Sequence, residues 1–281
     1  MKAIKMTKPR LYDWESNLKI NIMIMRLIGL WPDGDGTYRP GFYLTYSATV
    51  LTLVACHLLS EIVSIYFVRD DLEKVAEAIY IVLTEISTAV KTAFVIIKIR
   101  FIKSCIANLK NDQLLQPKNQ DQVIMIQSSI AIWKFVYTSF IVGCFGVNLF
   151  WMITSMNFEE KYALPFLAWY PYNSKRSPQY EVTYAFQMGC TCFLTLSALC
   201  VDALICVFNV YVGCQFEFLS DNLRSFASSE DRNGSEAGKK LVRCIAHHKE
   251  ILRYVLLCAK FNENIVIVYT RDTCNATELS V

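Results

Sequence analysis

"VTYAFQMGCTCFLTLSALCVDALICVFNVYVGCQF", residues 182–216, is thirty-five residues long and carries a single charge, Asp202. At 1.5 Å per residue a continuous helix of this length measures about 52 Å, far more than a hydrocarbon core of about 30 Å. Tilt absorbs only part of the excess. The stretch therefore reads as a transmembrane helix that leaves the bilayer and runs on into the cytoplasm. Counting about twenty residues from its outer edge puts Asp202 near the inner interface, which favours a structural role over the functional one expected of an acid at mid-membrane.

The rest of the chain agrees with a membrane setting. Of 281 residues 54% are hydrophobic and only 19% charged, with a mean hydropathy of +0.30; average globular usage is about 25% charged. Residues 40–60 and 135–158 contain no Asp, Glu, Lys or Arg, and each run is long enough to cross. A further apolar segment, residues 75–97, carries Glu77, Glu85 and Lys91 and is read as a span because its charges are few. The fold class is all-α, a polytopic protein with four transmembrane helices and a long fourth helix. Residues 1–39 form a cytoplasmic N-terminus, 40–216 the four-span region with a lid at 156–181, and 217–281 a cytoplasmic helical segment and tail. Within the first part, "INIMIMRLIGLWP" (20–32) reads as an amphipathic helix at the membrane surface rather than a cleaved signal.

Cations orient the spans. Lys2, Lys5, Lys8, Arg10, Lys19, Arg26 and Arg39 precede the first; Arg69 and Lys74 follow it. The connection after the second span has Lys98, Arg100, Lys103, Lys110 and Lys118, the next has Lys161, Lys175 and Arg176, and eight more lie between Arg224 and Lys260. The alternation 7, 2, 5, 3, 8 puts the N-terminus in the cytoplasm and the lid outside, and the expected location is the plasma membrane. None of the eleven cysteines lies in the lid, so no disulfide framework is expected. The acceptor-type triplets at Asn233 and Asn275 fall on the inner side and are expected to stay unmodified.

Chemical motifs are weak. "DGDG" (33–36) lacks the further ligands of a calcium loop, and Cys190 and Cys192 point in different directions on a helix. His247-His248 has no metalloprotease context and reads as packing. Nothing argues for an enzyme, and no cofactor, metal or nucleic-acid partner is expected. Two apolar stripes, Phe216, Leu219, Leu223 and Phe226, then Leu241, Ile245, His248, Leu252 and Val255, are expected to pack together below the membrane.

Three segments in this order, "LPFLAWYPYNSKRSPQYEVTYAFQ" (164–187), "VYVGCQFEFLSDNL" (210–223) and "LVRCIAHHKEILRY" (241–254), resemble the insect odorant receptor family. The resemblance covers roughly residues 18–262 and implies a seven-span, inside-N-terminus subunit that binds small volatile odorants. It also implies a co-receptor subunit as partner, the two forming a ligand-gated nonselective cation channel among membrane lipid. The aromatic, proline-braced lid would then roof a hydrophobic cavity in the outer half of the bundle. Its expected lining is Tyr80, Leu83, Thr84 and Ser87 on the second span, Phe150, Trp151 and Thr154 on the third, and Tyr184, Gln187, Met188 and Thr191 on the fourth. Aromatic rings supply area there, and Thr, Ser and Gln the few polar contacts.

The family continues past about Phe261 into three more spans, the last lining the pore, where this sequence reads "FNENIVIVYTRDTCNATELSV". Glu85 and Lys91, about 240° apart around their helix, form no polar stripe. The 281 residues alone are thus expected to pass no odorant-gated current even with a co-receptor. The alternatives are a gustatory-type chemoreceptor, which the "WYP" of the lid disfavours, a transporter, and a non-conducting fragment that only binds partners. A transporter would show internal repeats or helices broken by Gly or Pro, and neither is visible.

Overall fold

The computed structural model describes residues 12–34, 36–39, 41–155, 163–228 and 238–257. The described residues open on a 3-10 turn, Trp14–Leu18, and a short helix α1, Lys19–Leu27. Four long helices follow: α2 Phe42–Phe67, α3 Leu72–Asn111, α4 Gln120–Ser155 and α5 Gln179–Ser228. Residues 238–257 form a further helix, α6. Among the described residues there is no strand. α2 to α5 are each long and apolar enough to cross a membrane, and this is a helical membrane protein.

α5 is the axis. It contacts α1, α2, α3 and α4, and half of its most apolar window is buried inside the protein against 17–33% for the other three. Its fifty residues run unbroken, about 75 Å of helix, as the long uncharged stretch requires. α3 and α4 overshoot too, beyond the spans read from sequence. On α3, Lys98 and Arg100 point outward while Ile99, Ile102, Cys105, Ile106 and Leu109 remain buried; an amphipathic continuation extends the span without a break. Polar caps fix the starts of both helices: Asp71 accepts from Lys74 N at 3.3 Å, and Asn119 from Gln122 N at 2.9 Å.

The densest core lies at the end away from the lid. Trp14, fully buried, meets the edge of Tyr211 at 4.9 Å, and Tyr211 donates to Trp14 O at 2.8 Å. Asn21 of α1, also fully buried, donates to Cys200 O and accepts from Tyr137, each at 3.2 Å, so one side chain joins α1, α4 and α5. Ile20, Met23 and Leu27 of α1 stay exposed. α1 stops at Gly29, whose φ of 82° suits glycine and whose Cβ would sit 2.9 Å from Ser47 Oγ.

The two stripes below the spans do pack, but through faces that overlap the expected ones only at Leu219 and Val255. Phe216, Leu223, Leu241, Ile245, His248 and Leu252 are exposed, whereas Cys214, Gln215, Phe218, Cys244, His247, Ile251 and Tyr254 are buried. The inward faces are rotated by about one residue, because Gln215 and His247 pair with each other at 3.1 Å and apolar counting left both out. Asp202 lies in α5 and pairs with Lys91 of α3 at 3.8 Å, so it bridges two helices. Residues 1–11, part of the lid at 156–162, the triplets at Asn233 and Asn275 and the tail from 258 lie outside the described residues.

Candidate functional site

From Ala163 to Pro178 the lid folds over the ends of α2, α4 and α5, and its last expected residues, 179–181, already belong to α5. It is fastened by its backbone. Trp169 N donates to Ser60 O at 2.9 Å, Ser64 Oγ donates to Leu167 O at 2.8 Å, and Tyr180 donates to Ala163 O at 2.9 Å. Trp169 stacks on Phe67 with centroids 5.8 Å apart. A segment with three prolines cannot satisfy its own backbone as a helix does, and Ser60, Ser64 and Gln187 supply part of what is missing.

Gln187 is central to this arrangement. Fully buried on α5, it accepts from Phe166 N at 3.2 Å and donates to Phe166 O at 3.1 Å and to Tyr170 at 3.2 Å. Burial raises the Tyr170 phenol above its ordinary pKa, with the Gln187 bond opposing, so it remains a neutral hydroxyl at physiological pH. Phe166 in turn stacks on Trp151 of α4, centroids 6.1 Å apart and planes 22° from parallel. Tyr184 donates to Met152 O at 2.8 Å. Trp151 and Gln187 therefore meet the underside of the lid through Phe166, and Tyr184 ties α5 to α4, with Met188 half-buried and Thr191 donating to Gln187 O at 3.0 Å.

The other expected lining residues stand apart from that cluster. Tyr80, Leu83 and Thr84 of α3 are exposed, Tyr80 at 74%, and Ser87 is half-buried. Phe150 and Thr154 of α4 are exposed as well. α3 and α4 both contact α5, yet all of these residues except Ser87 lie on exposed faces.

Two cavities lie next to the expected positions rather than on them. One of about 530 Å³ is bounded by Cys56, Leu59, Ser60 and Val63 of α2, Trp169, Tyr170, Pro171 and Tyr172 of the lid, and Val182, Thr183 and Phe186 of α5. A second, about 600 Å³, follows the α4–α5 groove past Phe140, Cys144, Val147, Asn148 and Thr195. Both fall in the usual range for small-molecule pockets, about 300–1,000 Å³. The first was missed because α2 looked like a plain hydrophobic span. The signal was present in Ser60 and Ser64, small polar residues one turn apart at its lid end.

Sequence reading also passed over a polar cluster in the same half of the bundle. His57 and Glu61 of α2 and Glu85 of α3 are all buried, with His57 Nε2 at 3.4 Å from Glu61 Oε1 and 3.6 Å from Glu85 Oε2. Their ligand-type atoms lie within 4.8 Å of one another, the one such group among the described residues. The signal would have been the i, i+4 spacing of His57 and Glu61, which puts both on one helical face.

The family described as 7tm Odorant receptor matches residues 71–269. Odorant receptor 94a of Drosophila melanogaster is 22% identical over 263 residues, 88% of this chain and 65% of its own length. Odorant receptor Or1 of Anopheles gambiae is 26% identical over 183 residues, 63% of this chain and 42% of its own. The chain thus spans less than two thirds of either relative. In three dimensions it is similar to the insect olfactory receptor OR5 from Machilis hrabei. With the eugenol complex of that receptor the TM-score is 0.77 at 17% identity, covering 94% of this chain and 70% of the other. With the structure without eugenol the TM-score is 0.74 at 16% identity, over the same shares.

Proposed function

The chain belongs to the odorant receptor family, and from that premise we propose that it binds small, volatile, hydrophobic odorants beneath its lid. The observation that carries the reading is the aromatic contact of Trp151 with Phe166, clamped from α5 by Gln187. Rings give contact area at little conformational cost, and a few fixed polar groups orient the ligand. The proposed lining is Tyr80, Leu83, Thr84 and Ser87, Phe150, Trp151 and Thr154, and Tyr184, Gln187, Met188 and Thr191. The likeness to a fold captured with eugenol supports an odorant of comparable size.

The subunit works, in this reading, with a co-receptor subunit as a ligand-gated nonselective cation channel of the plasma membrane, its N-terminus cytoplasmic. It has no catalytic role. A second reading of the pocket follows from the 530 Å³ cavity between α2, the lid and α5, where Ser60, Tyr172 and Thr183 supply polar atoms to an otherwise apolar wall.

Equilibrium binding tests both. The chain is reconstituted in lipid nanodiscs and titrated with eugenol and a panel of aliphatic and aromatic volatiles, read by tryptophan fluorescence. Saturable binding weakened by Tyr184→Ala but not by Val63→Ala supports the first pocket, and the reverse pattern supports the second. Binding that no volatile in the panel saturates would refute the proposal.

A further inference from the structure

The His57, Glu61 and Glu85 cluster is built in a way that hydrogen bonding alone does not explain. His57 is 0% exposed, Glu61 2% and Glu85 8%. Neither ring nitrogen of His57, neither carboxylate oxygen of Glu61, nor Oε2 of Glu85 has a hydrogen-bond partner outside the cluster. Two carboxylates with one imidazole leave the group short of positive charge even when the ring is protonated. Burying such an excess is costly unless a proton or a cation compensates it. The nearest buried cation along α3, Lys91, pairs with Asp202 at 3.8 Å instead.

We propose that His57, Glu61 and Glu85 bind a divalent transition-metal ion of the zinc type. Zinc holds histidine nitrogen at about 2.0–2.1 Å and carboxylate oxygen at about 2.0–2.2 Å in a tetrahedron. The edge of such a tetrahedron is about 3.3–3.5 Å, from the same bond lengths. His57 Nε2 stands 3.4 Å from Glu61 Oε1 and 3.6 Å from Glu85 Oε2, two edges close to that length, and all three ligand-type atoms lie within 4.8 Å of one another. One nitrogen and two oxygens suit zinc better than calcium or magnesium, which prefer oxygen alone. Three protein ligands leave a fourth position for water or another donor.

Access and consequence also follow from the surroundings. Glu61 lies in the wall of a cavity of about 80 Å³ under Phe166 and Leu167 of the lid, and exposed Glu77 lines the same cavity. An acidic side chain at that place draws a cation toward the site. The His57 ring stands edge-on to Phe166 at 6.3 Å and to Phe186 of α5 at 6.0 Å. An ion held here ties α2 to α3 directly beneath the lid, and its uptake displaces protons from the cluster.

Cobalt(II) serves as the probe, because its visible bands report coordination. The full chain in nanodiscs is titrated with Co²⁺ and bound metal is counted by equilibrium dialysis. One Co²⁺ per chain is expected, with intense four-coordinate bands, no sulfur-to-metal charge transfer, release of about one proton, and bleaching by Zn²⁺. His57→Ala and Glu85→Gln should each weaken uptake by about tenfold or more, a loss comparable to that from removing a supporting partner at other metal sites. Glu61→Gln, nearly isosteric, serves where the alanine variant does not fold. No uptake, with the cluster merely sharing a proton, would overturn the proposal. So would thiolate-type bands, or uptake unchanged in His57→Ala and Glu61→Gln.

Discussion

Gln187 holds both backbone polar groups of Phe166, accepting from its N–H at 3.2 Å and donating to its C=O at 3.1 Å. The same amide donates to Tyr170, so one side chain on the central helix ties two residues of the lid. Gln187→Leu keeps much of the volume and removes all three bonds. A buried backbone group left unpaired costs about 1–3 kcal/mol, so the lid should open locally well before the bundle unfolds. Hydrogen exchange at residues 163–172 should rise by at least about tenfold, from the same range, while exchange in the middle of α5 stays as it was. Unchanged protection of Phe166 would show that Ser60 and Ser64 suffice to hold the lid.

Trp151 and Tyr184 divide two tasks that one substitution each separates. Tyr184→Phe removes the hydroxyl that bonds to Met152 O, worth about 1 kcal/mol in stability, and leaves the ring in place. Trp151→Ala removes the face on which Phe166 stacks. If odorants bind beneath the lid, Trp151→Ala should change the affinity order across a mixed aromatic and aliphatic panel. Tyr184→Phe should shift all affinities by a similar small factor. An affinity order that survives Trp151→Ala would move the pocket toward the α2 side.

His247 and Gln215 should give a pH signature outside the membrane spans. Gln215 Nε2 donates to Leu115 O at 2.9 Å, which turns Oε1 toward His247 and makes His247 Nε2 the donor. Burial first, then the charge of Lys118, holds the His247 pKa down at about 4 from 6.5; Asp112 opposes and His248 adds to the lowering. A folded-state value below the unfolded one means that the stabilisation is fully present above about 6.5. It is lost as pH falls from there toward 4. Docking of α6 on α5 should therefore weaken over that window, seen as rising exchange in residues 244–254. Replacing both partners, Gln215→Leu with His247→Leu, should flatten the dependence and cost less than His247→Leu alone, which strands a buried amide oxygen.

What the sequence disclosed and what it hid follow one rule. Long uncharged runs expose a helix whatever its neighbours, so α2, α4 and α5 were legible, and so was the Lys91 charge as distinct from the Glu85 side of α3. Faces are harder. In a membrane helix apolar residues lie all round, and inward orientation is decided by polar groups that find partners, as Gln215, His247, Asn21 and Gln187 do. Those partners lie up to 179 residues away in sequence, beyond any local period. The type of Gln187 marks it as a lining residue, and its bonds to the lid backbone are invisible in sequence because irregular loops announce no geometry. The His57–Glu61 pair was readable from spacing, yet the convergence of Glu85 required the α2–α3 packing.

The orientation of the bundle is open to a direct test, because the fold sorts cations by end. Arg69, Lys74, Lys175 and Arg176 cluster at the lid end, in the α2–α3 turn and the lid. At the other end Arg100 donates to Thr37, Lys103 to Pro32 O and Gly34 O, and Lys118 to Asn222. These bonds gather the segment before α2, the α3–α4 connection and the lower part of α5 on one side, with α6 attached through Gln215. That side holds most of the Lys and Arg residues, and cation-rich short segments stay in the cytoplasm. The lid should then face outward. An epitope tag inserted beside exposed Lys175 should be labelled on intact cells, and a tag ahead of Met1 only after permeabilisation. If the lid tag requires permeabilisation and the N-terminal tag does not, the bundle sits the other way up, and no odorant arriving from outside would meet the lid first.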